Sequence, residues 1–268
     1  KKERVRKRKK ERKKEKEKER VCKIGRMEVD VRNNLEYPGG AYDIYIPQNA
    51  NEIPRLVIYI HGGLWMDKDK KDYAHIGTSF AKVGFACAVV NYPLSSKDNT
   101  IRHPLHTRCV GHAVECILSR GEEDGYAVEE VVLVGHSCGA HIMGLLLFCG
   151  EYLGEKYRER FSHLICLQGI FSTIRFAEEK PEWEEYVAVS MTADKSKWES
   201  PTDYPAVQGK ANRKWLLFHS LEDEWVDSKQ AIAFEAHLRK YFESVATNTA
   251  VKGGHNEVVE ELGVTQAG

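Results

Sequence analysis

This chain of 268 residues lacks the marks of several protein classes. No Cys/His cluster has the spacing of a zinc site, and no glycine-rich phosphate loop is present, so no metal and no cofactor is implied. No period of 20–50 residues recurs, which excludes a solenoid or propeller. The seven cysteines (Cys22, Cys87, Cys109, Cys116, Cys138, Cys149, Cys166) are odd in number and have no paired spacing. With no secretory signal read, they are expected to be reduced, mostly buried thiols of a cytoplasmic protein. Charge of one sign is missing as well: Lys+Arg and Asp+Glu number 40 each, for a net charge of zero.

That balance hides an uneven distribution. Lys1 to Arg20 holds fourteen Lys/Arg and five Glu, so it carries +9 and the remainder −9. Apart from Val5 the block has no apolar residue and cannot bury a core, so residues 1–26 are expected to form a basic, disordered tail or a solvated helix. A solvated tail, or translated sequence upstream of Met27, competes with a nuclear-targeting or nucleic-acid-binding arm. The block is too polar for a membrane anchor, and no membrane partner is expected. Residues 27–268 fit one large α/β domain.

What the chain does have begins at Val131-Val132-Leu133-Val134, an apolar run that leads into Gly135-His136-Ser137-Cys138-Gly139 and then an apolar stretch, Ala140 to Phe148. Strand, Gly-x-Ser-x-Gly and helix in that order make the nucleophile elbow of α/β-hydrolases. Side chains at Gly135 and Gly139 would collide with backbone in so tight a turn, while Ser137 is held strained with its hydroxyl outward. About 75 residues earlier, the β-branched run Arg55 to Ile60 ends in His61-Gly62-Gly63-Leu64-Trp65. Acyl transfer needs donors aimed at the oxygen that becomes negative, and a Gly-Gly turn lets backbone N–H groups face outward. The N–H of Cys138, next after the nucleophile, supplies another.

An acid and a histidine should follow the serine in that order. The run Lys214 to Ser220 reads as a buried strand, and Asp223 lies on the loop after it, with Glu222, Glu224 and Asp227 as rivals. A helix of about Asp227 to Phe242 and a strand of 246–251 lead to Gly253-Gly254-His255, where a mobile imidazole can reach the serine. His61 and His136 are expected to support loop geometry. His103, His106, His112 and His237 fall on predicted helices, where surface or satisfied roles are commoner.

Apolar strands near 41–47, 55–60, 85–91, 130–135, 163–169, 214–219 and 246–251 alternate with helix-like segments. Val110, Val114, Ile117 and Leu118 share one helical face. This predicts a mainly parallel sheet flanked by helices, with sites at the strands' carboxyl ends. A long aromatic segment of about 171–212 (Phe171, Phe176, Trp183, Tyr186, Trp198, Tyr204), placed between the sixth and seventh strands, is expected to cap the site, although any one aromatic in it could equally belong to a small core of its own.

His61-Gly62-Gly63-Leu64-Trp65 together with Gly135-His136-Ser137-Cys138-Gly139-Ala140-His141 resembles the kynurenine formamidase (arylformamidase) family of α/β-hydrolases, over about residues 41–260. Leu64 stands where related esterases often carry a third glycine. The resemblance implies that Gly63 and Leu64 donate oxyanion N–H groups beside Cys138. It also implies a Ser137–Asp223–His255 triad and hydrolysis of N-formylkynurenine, a small-molecule substrate, to kynurenine and formate. Leu64 and Trp65 would then close the acyl side of the pocket. A carboxylesterase acting on small acyl or aryl esters shares every one of these residues. A third reading, a non-catalytic hydrolase-fold protein that binds partners, is disfavoured because serine, acid and histidine are all present. Oligomeric state, a homodimer included, stays open.

Overall fold

The computed structural model describes residues 27–205 and 213–260. The expected basic tail, Cys22 and the 206–212 end of the cap segment lie outside the described residues. Eight strands form one sheet: β1 (Val29–Tyr37), β2 (Gly40–Pro47), β3 (Arg55–Ile60), β4 (Phe85–Val90), β5 (Ala127–His136), β6 (Phe161–Leu167), β7 (Lys214–Phe218) and β8 (Val245–Asn248), in the order β1-β2-β4-β3-β5-β6-β7-β8. The β1–β2 and β2–β4 pairs are antiparallel and all others parallel. The main helices are α1 (Ala74–Lys82), α2 (Leu105–Ser119), α3 (Cys138–Phe148), α4 (Thr173–Glu179), α5 (Glu184–Ser190) and α6 (Lys229–Leu238).

The central strands read as continuous apolar runs because both faces of the sheet are covered. Leu56, Ile58 and Ile60 of β3, with Val131 and Leu133 of β5, join the larger core with α2 and α3. The alternate residues Val57, Tyr59, Val132 and Val134 join a smaller core with Ile76 and Ala81 of α1. All eleven residues of α3 are buried, so this helix has no polar face, as its sequence shows.

Strand β1 was not expected. Asp30, Arg32, Asn33, Asn34 and Glu36 make it read as loop, and the register shifts between Arg32 and Leu35 break its alternation. At that bulge Asn34 (φ 57°) donates its N–H to Asp43 Oδ1 at 2.8 Å, and Asp43 also pairs with buried Lys70 at 2.9 Å. The polar pattern is thus that of an edge strand whose bulge residue Asn34 covers a buried Asp43–Lys70 ion pair. Helix α6 is shorter than the expected 227–242, and the last strand ends at Asn248 rather than 251.

The described cap residues follow β6. They comprise α4, a 3₁₀ turn at Pro181–Trp183, α5, and two further 3₁₀ turns at Lys195–Lys197 and Pro201–Asp203. Phe171, Phe176 and Trp198 are absorbed into the main core, while Tyr186 is exposed. Five of the six cysteines among the described residues are buried, and all six are free thiols. No helix among the described residues is long and apolar enough to cross a membrane.

Candidate active site

Strand β5 delivers Ser137 to the first position before α3 with φ 54° and ψ −122°, a conformation that costs a non-glycine residue about 1–3 kcal/mol. Its neighbours leave no alternative. A Cβ on Gly135 would lie 2.7 Å from Ala140 backbone, and one on Gly139 would lie 2.3 Å from Ile60 O. The elbow is held by Ser137 N–H donating to Leu167 O (2.9 Å), and by Ala140 and Ile170 N–H donating to Ser137 O. A Cβ on Gly62 would meet Ser137 Cβ at 2.9 Å, so the His-Gly-Gly loop lies directly against the serine.

That loop is wound tightly. Gly63 (φ 107°), Leu64 (φ 52°) and Trp65 (φ 59°) are consecutive left-handed residues, and Gly63 O accepts N–H bonds from Met66 and Asp67, both at 2.9 Å. A Cβ at Gly63 would fall 2.1 Å from Asp67 O, so only glycine fits. Trp65 N–H donates to Cys138 Sγ at 3.2 Å. The N–H groups of Gly63, Leu64 and Cys138 have no carbonyl acceptor among the described residues. Leu64 O accepts from Ser190 Oγ of α5 (3.0 Å), which ties the cap to the loop. Trp65 is fully buried, edge-on to His141 with ring centroids 5.0 Å apart, so its indole lies behind the loop rather than on an open wall.

The acid and histidine loops meet from the other side. His255 Nδ1–H donates to Asp223 at 2.8 Å (Oδ2) and 3.0 Å (Oδ1). Asp223 Oδ1 also accepts the N–H groups of Trp225 and Val226, both at 2.9 Å, so the carboxylate is fixed by its own turn. The rivals do something else. Glu224 Oε2 accepts the backbone N–H of His255 (2.9 Å) and Glu222 Oε2 that of Gly253 (2.9 Å). Both carboxylates hold the backbone of the histidine loop, not the imidazole. Asp227 Oδ1 accepts from Lys229 N–H at the start of α6.

His136, the residue before the serine, donates Nε2–H to His255 O at 3.0 Å, and the two rings lie 4.9 Å apart. Ser137 therefore has one neighbour touching the histidine loop and another, Cys138, touching the His-Gly-Gly loop. Ser137 Oγ and His255 Nε2 form no hydrogen bond among the described residues. Burial holds His136 neutral, well below the ordinary histidine range, and lowers His61 to about 4. Neither is a proton carrier at neutral pH. His61 stacks on Tyr92 (4.5 Å), whose hydroxyl donates to His61 O (3.0 Å). Burial pushes the Cys138 thiol up to about 11, so it stays protonated beside the serine.

Several site residues escaped the sequence reading. Buried Gln168 at the end of β6 (φ 51°) accepts Ser220 N–H on Oε1 (2.8 Å) and donates Nε2–H to Gly254 O (3.3 Å), clamping the acid and histidine loops together. Its signal was a polar residue at the carboxyl end of a buried strand. His219, fully buried, donates Nε2–H to Val226 O (2.9 Å) and lies 3.6 Å from Asp223 Oδ2. His106 is buried against Ser95 Oγ (2.8 Å). His103 precedes α2 rather than lying in it and pairs with Glu199 at 2.5 Å. An apolar groove of about 430 Å³ opens on the smaller core, lined by Tyr59, Phe80, Ile165, Phe218 and Val258, and none of Ser137, Asp223 or His255 lines it.

With this geometry in view, the likenesses to known proteins are informative. The family described as BD-FAE matches residues 42–238. A kynurenine formamidase of Eremothecium gossypii is 26% identical over 194 residues, which is 66% of this chain and 76% of that protein. A kynurenine formamidase of Meyerozyma guilliermondii is 29% identical over 149 residues, covering 54% of this chain and 53% of that protein. Among solved structures, an inhibited esterase B from Lactobacillus rhamnosis superposes with a TM-score of 0.70 at 15% identity, over 91% of this chain and 86% of that one, a likeness of fold alone. The expected α/β-hydrolase fold and the resemblance to kynurenine formamidases are both borne out.

Proposed function

The chain belongs to the BD-FAE family and is a hydrolase, and on that premise we propose that it cleaves the formyl amide of N-formyl-L-kynurenine through Ser137, Asp223 and His255. The observation that carries this reading is the two-oxygen contact of Asp223 with His255 Nδ1 at 2.8 and 3.0 Å, made next to a serine on a strained elbow. An Nδ1–H fixed on a carboxylate leaves Nε2 as the basic nitrogen, the tautomer a general base needs.

In the proposed mechanism Ser137 Oγ attacks the formyl carbon and its proton passes to His255 Nε2. The N–H groups of Gly63, Leu64 and Cys138 receive the oxyanion, while Trp65 N–H is engaged with Cys138 Sγ. As the C–N bond breaks, His255 returns the proton to the departing aryl amine. Water, deprotonated by His255, then attacks formyl-Ser137, and formate leaves. Leu64, half-buried, stands at the acyl side.

A leaving-group-matched acyl series tests this. Each methylene forced into a filled acyl space costs about 1–3 kcal/mol, roughly 5–150-fold in rate. The formyl compound is expected to give the highest kcat/KM, followed by a steep fall through acetyl and butyryl. A rising series would instead assign the same residues to a carboxylesterase with an open acyl pocket.

A further inference from the structure

A row of aromatic rings leads outward from His255. The Trp225 indole lies against the imidazole, centroids 5.0 Å apart and planes tilted by 33°. Trp183 is 5.7 Å from Trp225, and Tyr186 is 5.4 Å from Trp183. The first ring comes from the acid loop and the other two from the cap. Trp225 is 36% and Tyr186 43% exposed, whereas Phe171, Phe176 and Trp198 of the same cap are buried. A contiguous, half-exposed aromatic surface rimmed by charge is a feature of binding sites, since leaving it in water is unfavourable.

The row is anchored to the acid loop at its inner end. Trp225 N–H donates to Asp223 Oδ1 (2.9 Å), which sets the indole in register with the acid. Lys180 Nζ, three residues before Trp183, donates to Glu224 O (2.7 Å), which binds cap to acid loop beside the rings. Cap and loop are therefore joined where the aromatic surface crosses from one to the other.

Chemistry decides which part of a substrate meets this surface. A general acid must touch the leaving atom, so on the Ser137/Asp223/His255 reading the leaving group departs along His255 while the acyl oxygen faces the Gly63–Leu64 loop. We propose that Trp225, Trp183 and Tyr186 form the leaving-group subsite, and that it selects a flat aryl amine or phenol over a saturated group of equal size. Flat rings gain from offset or edge-to-face contact with indoles, and a puckered ring cannot. The inference rests on the proposed triad only for the side on which the leaving group sits.

The test compares acetophenone, a flat aryl ketone, with cyclohexyl methyl ketone, its saturated counterpart. Dissociation constants are measured by calorimetry on the full chain and on its Ser137→Ala variant. The aromatic compound is expected to bind at least about tenfold more tightly to both. Trp183→Ala, which does not touch His255, is expected to erase most of that ratio, and Trp183→Phe to keep it. Equal affinities in the unmodified chain, or a ratio untouched by Trp183→Ala in a variant that melts normally, overturn the subsite. Undiminished hydrolysis by Ser137→Ala would instead overturn the catalytic reading, and the binding ratio would stand apart from it.

Discussion

Two histidine–carboxylate pairs in this molecule invite comparison. His255 and Asp223 meet through Nδ1 at 2.8 Å, and His103 and Glu199 through Nε2 at 2.5 Å. Both imidazoles are buried, yet their free nitrogens differ. His103 Nδ1 is buried with no partner among the described residues, next to the His141 and Tyr152 rings. His255 Nε2 is on the side of the ring away from its carboxylate, and the ring lies 4.9 Å from that of His136, the residue that precedes Ser137. The carboxylates differ too. Glu199 is shared with the hydroxyls of Tyr152 and Tyr204, and its backbone carbonyl takes His141 Nε2–H (2.8 Å). It fastens the cap to α3, whereas Asp223 is held by its own turn and, with His219 3.6 Å away, accepts a hydrogen bond from the His255 imidazole. A histidine–carboxylate pair is therefore not a catalytic signal by itself; what matters is which nitrogen the acid occupies and what the other nitrogen faces.

The sharpest way to break this contrast is to remove the nucleophile. Ser137→Ala is expected to lower kcat by roughly 10⁴–10⁶-fold with the fold intact, since alanine fits where serine does. Activity within tenfold of the unmodified protein would end the assignment. Next comes the acid. Asp223→Asn is expected to cost about 10⁴ in kcat, because the amide favours the wrong imidazole tautomer. Glu199→Gln, the matching change in the other pair, is expected to keep kcat within about tenfold while lowering stability. Burial raises the Glu199 carboxyl, but hydrogen bonds from His103 and Tyr152 outweigh it and hold the group below its ordinary value. Its stabilisation is thus present above about pH 4.5 and lost as pH falls further. If the two variants lose activity equally, the contrast between the pairs is wrong.

Much of the first pair was legible in the sequence and none of the second. Gly135-x-Ser137-x-Gly139 and His61-Gly62-Gly63 are contiguous strings whose geometry depends on neighbours one or two residues away. Asp223 and His255 could be ranked because each follows a strand end, but the choice among Glu222, Asp223 and Glu224 depends on which side chain turns inward, a tertiary fact. Glu199 lies 96 residues from His103, so no local pattern joins them. Strand β1 was missed for a different reason: its polar residues suit a solvated edge, and its bulge broke the period of two. In the cap, aromatic content pointed to a cover but could not separate Phe171 and Phe176, which belong to the core, from Trp183, which packs against it only partly buried, and Tyr186, which is exposed.

The buried histidines also set a pH response separate from catalysis. Burial lowers His61 to about 4 and His106 and His141 to about 3, against 6.5 for the free side chain. Above pH 6.5 both folded and unfolded forms are neutral and nothing changes. Below it the unfolded chain takes up protons that the folded one refuses, so stability falls with pH down to the folded values. At pH 5 each such histidine costs about 2 kcal/mol. Urea unfolding at pH 7.5 and pH 5 should show a loss of several kcal/mol. His141→Gln, which can still donate to Glu199 O, should reduce the slope. Equal stability at the two pH values would mean that these imidazoles are not buried as described.

The smallest expected effect is the one that most sharpens the assignment of the acid. Glu224 and Asp223 are adjacent carboxylates, and both act on His255, one on its backbone N–H (2.9 Å) and one on its ring. A glutamine at 224 keeps an acceptor oxygen in the same place, so Glu224→Gln is expected to change kcat by no more than about threefold. Alanine there removes the acceptor and leaves a half-buried N–H unpaired at a cost of about 1–3 kcal/mol, which loosens the loop that presents the imidazole. Glu224→Ala should therefore lower kcat by about tenfold, far less than Asp223→Asn. Glu222, whose side chain is 53% exposed and shared with Lys252 (3.1 Å), should tolerate glutamine as well. The order Asp223→Asn, Glu224→Ala, Glu224→Gln, from severe to mild, separates an acid that orients a ring from an acid that positions a chain. Should Glu224→Gln prove as severe as Asp223→Asn, the loop must rearrange during turnover so that Glu224 reaches the imidazole, and the contact at 2.8 Å would describe only the resting enzyme.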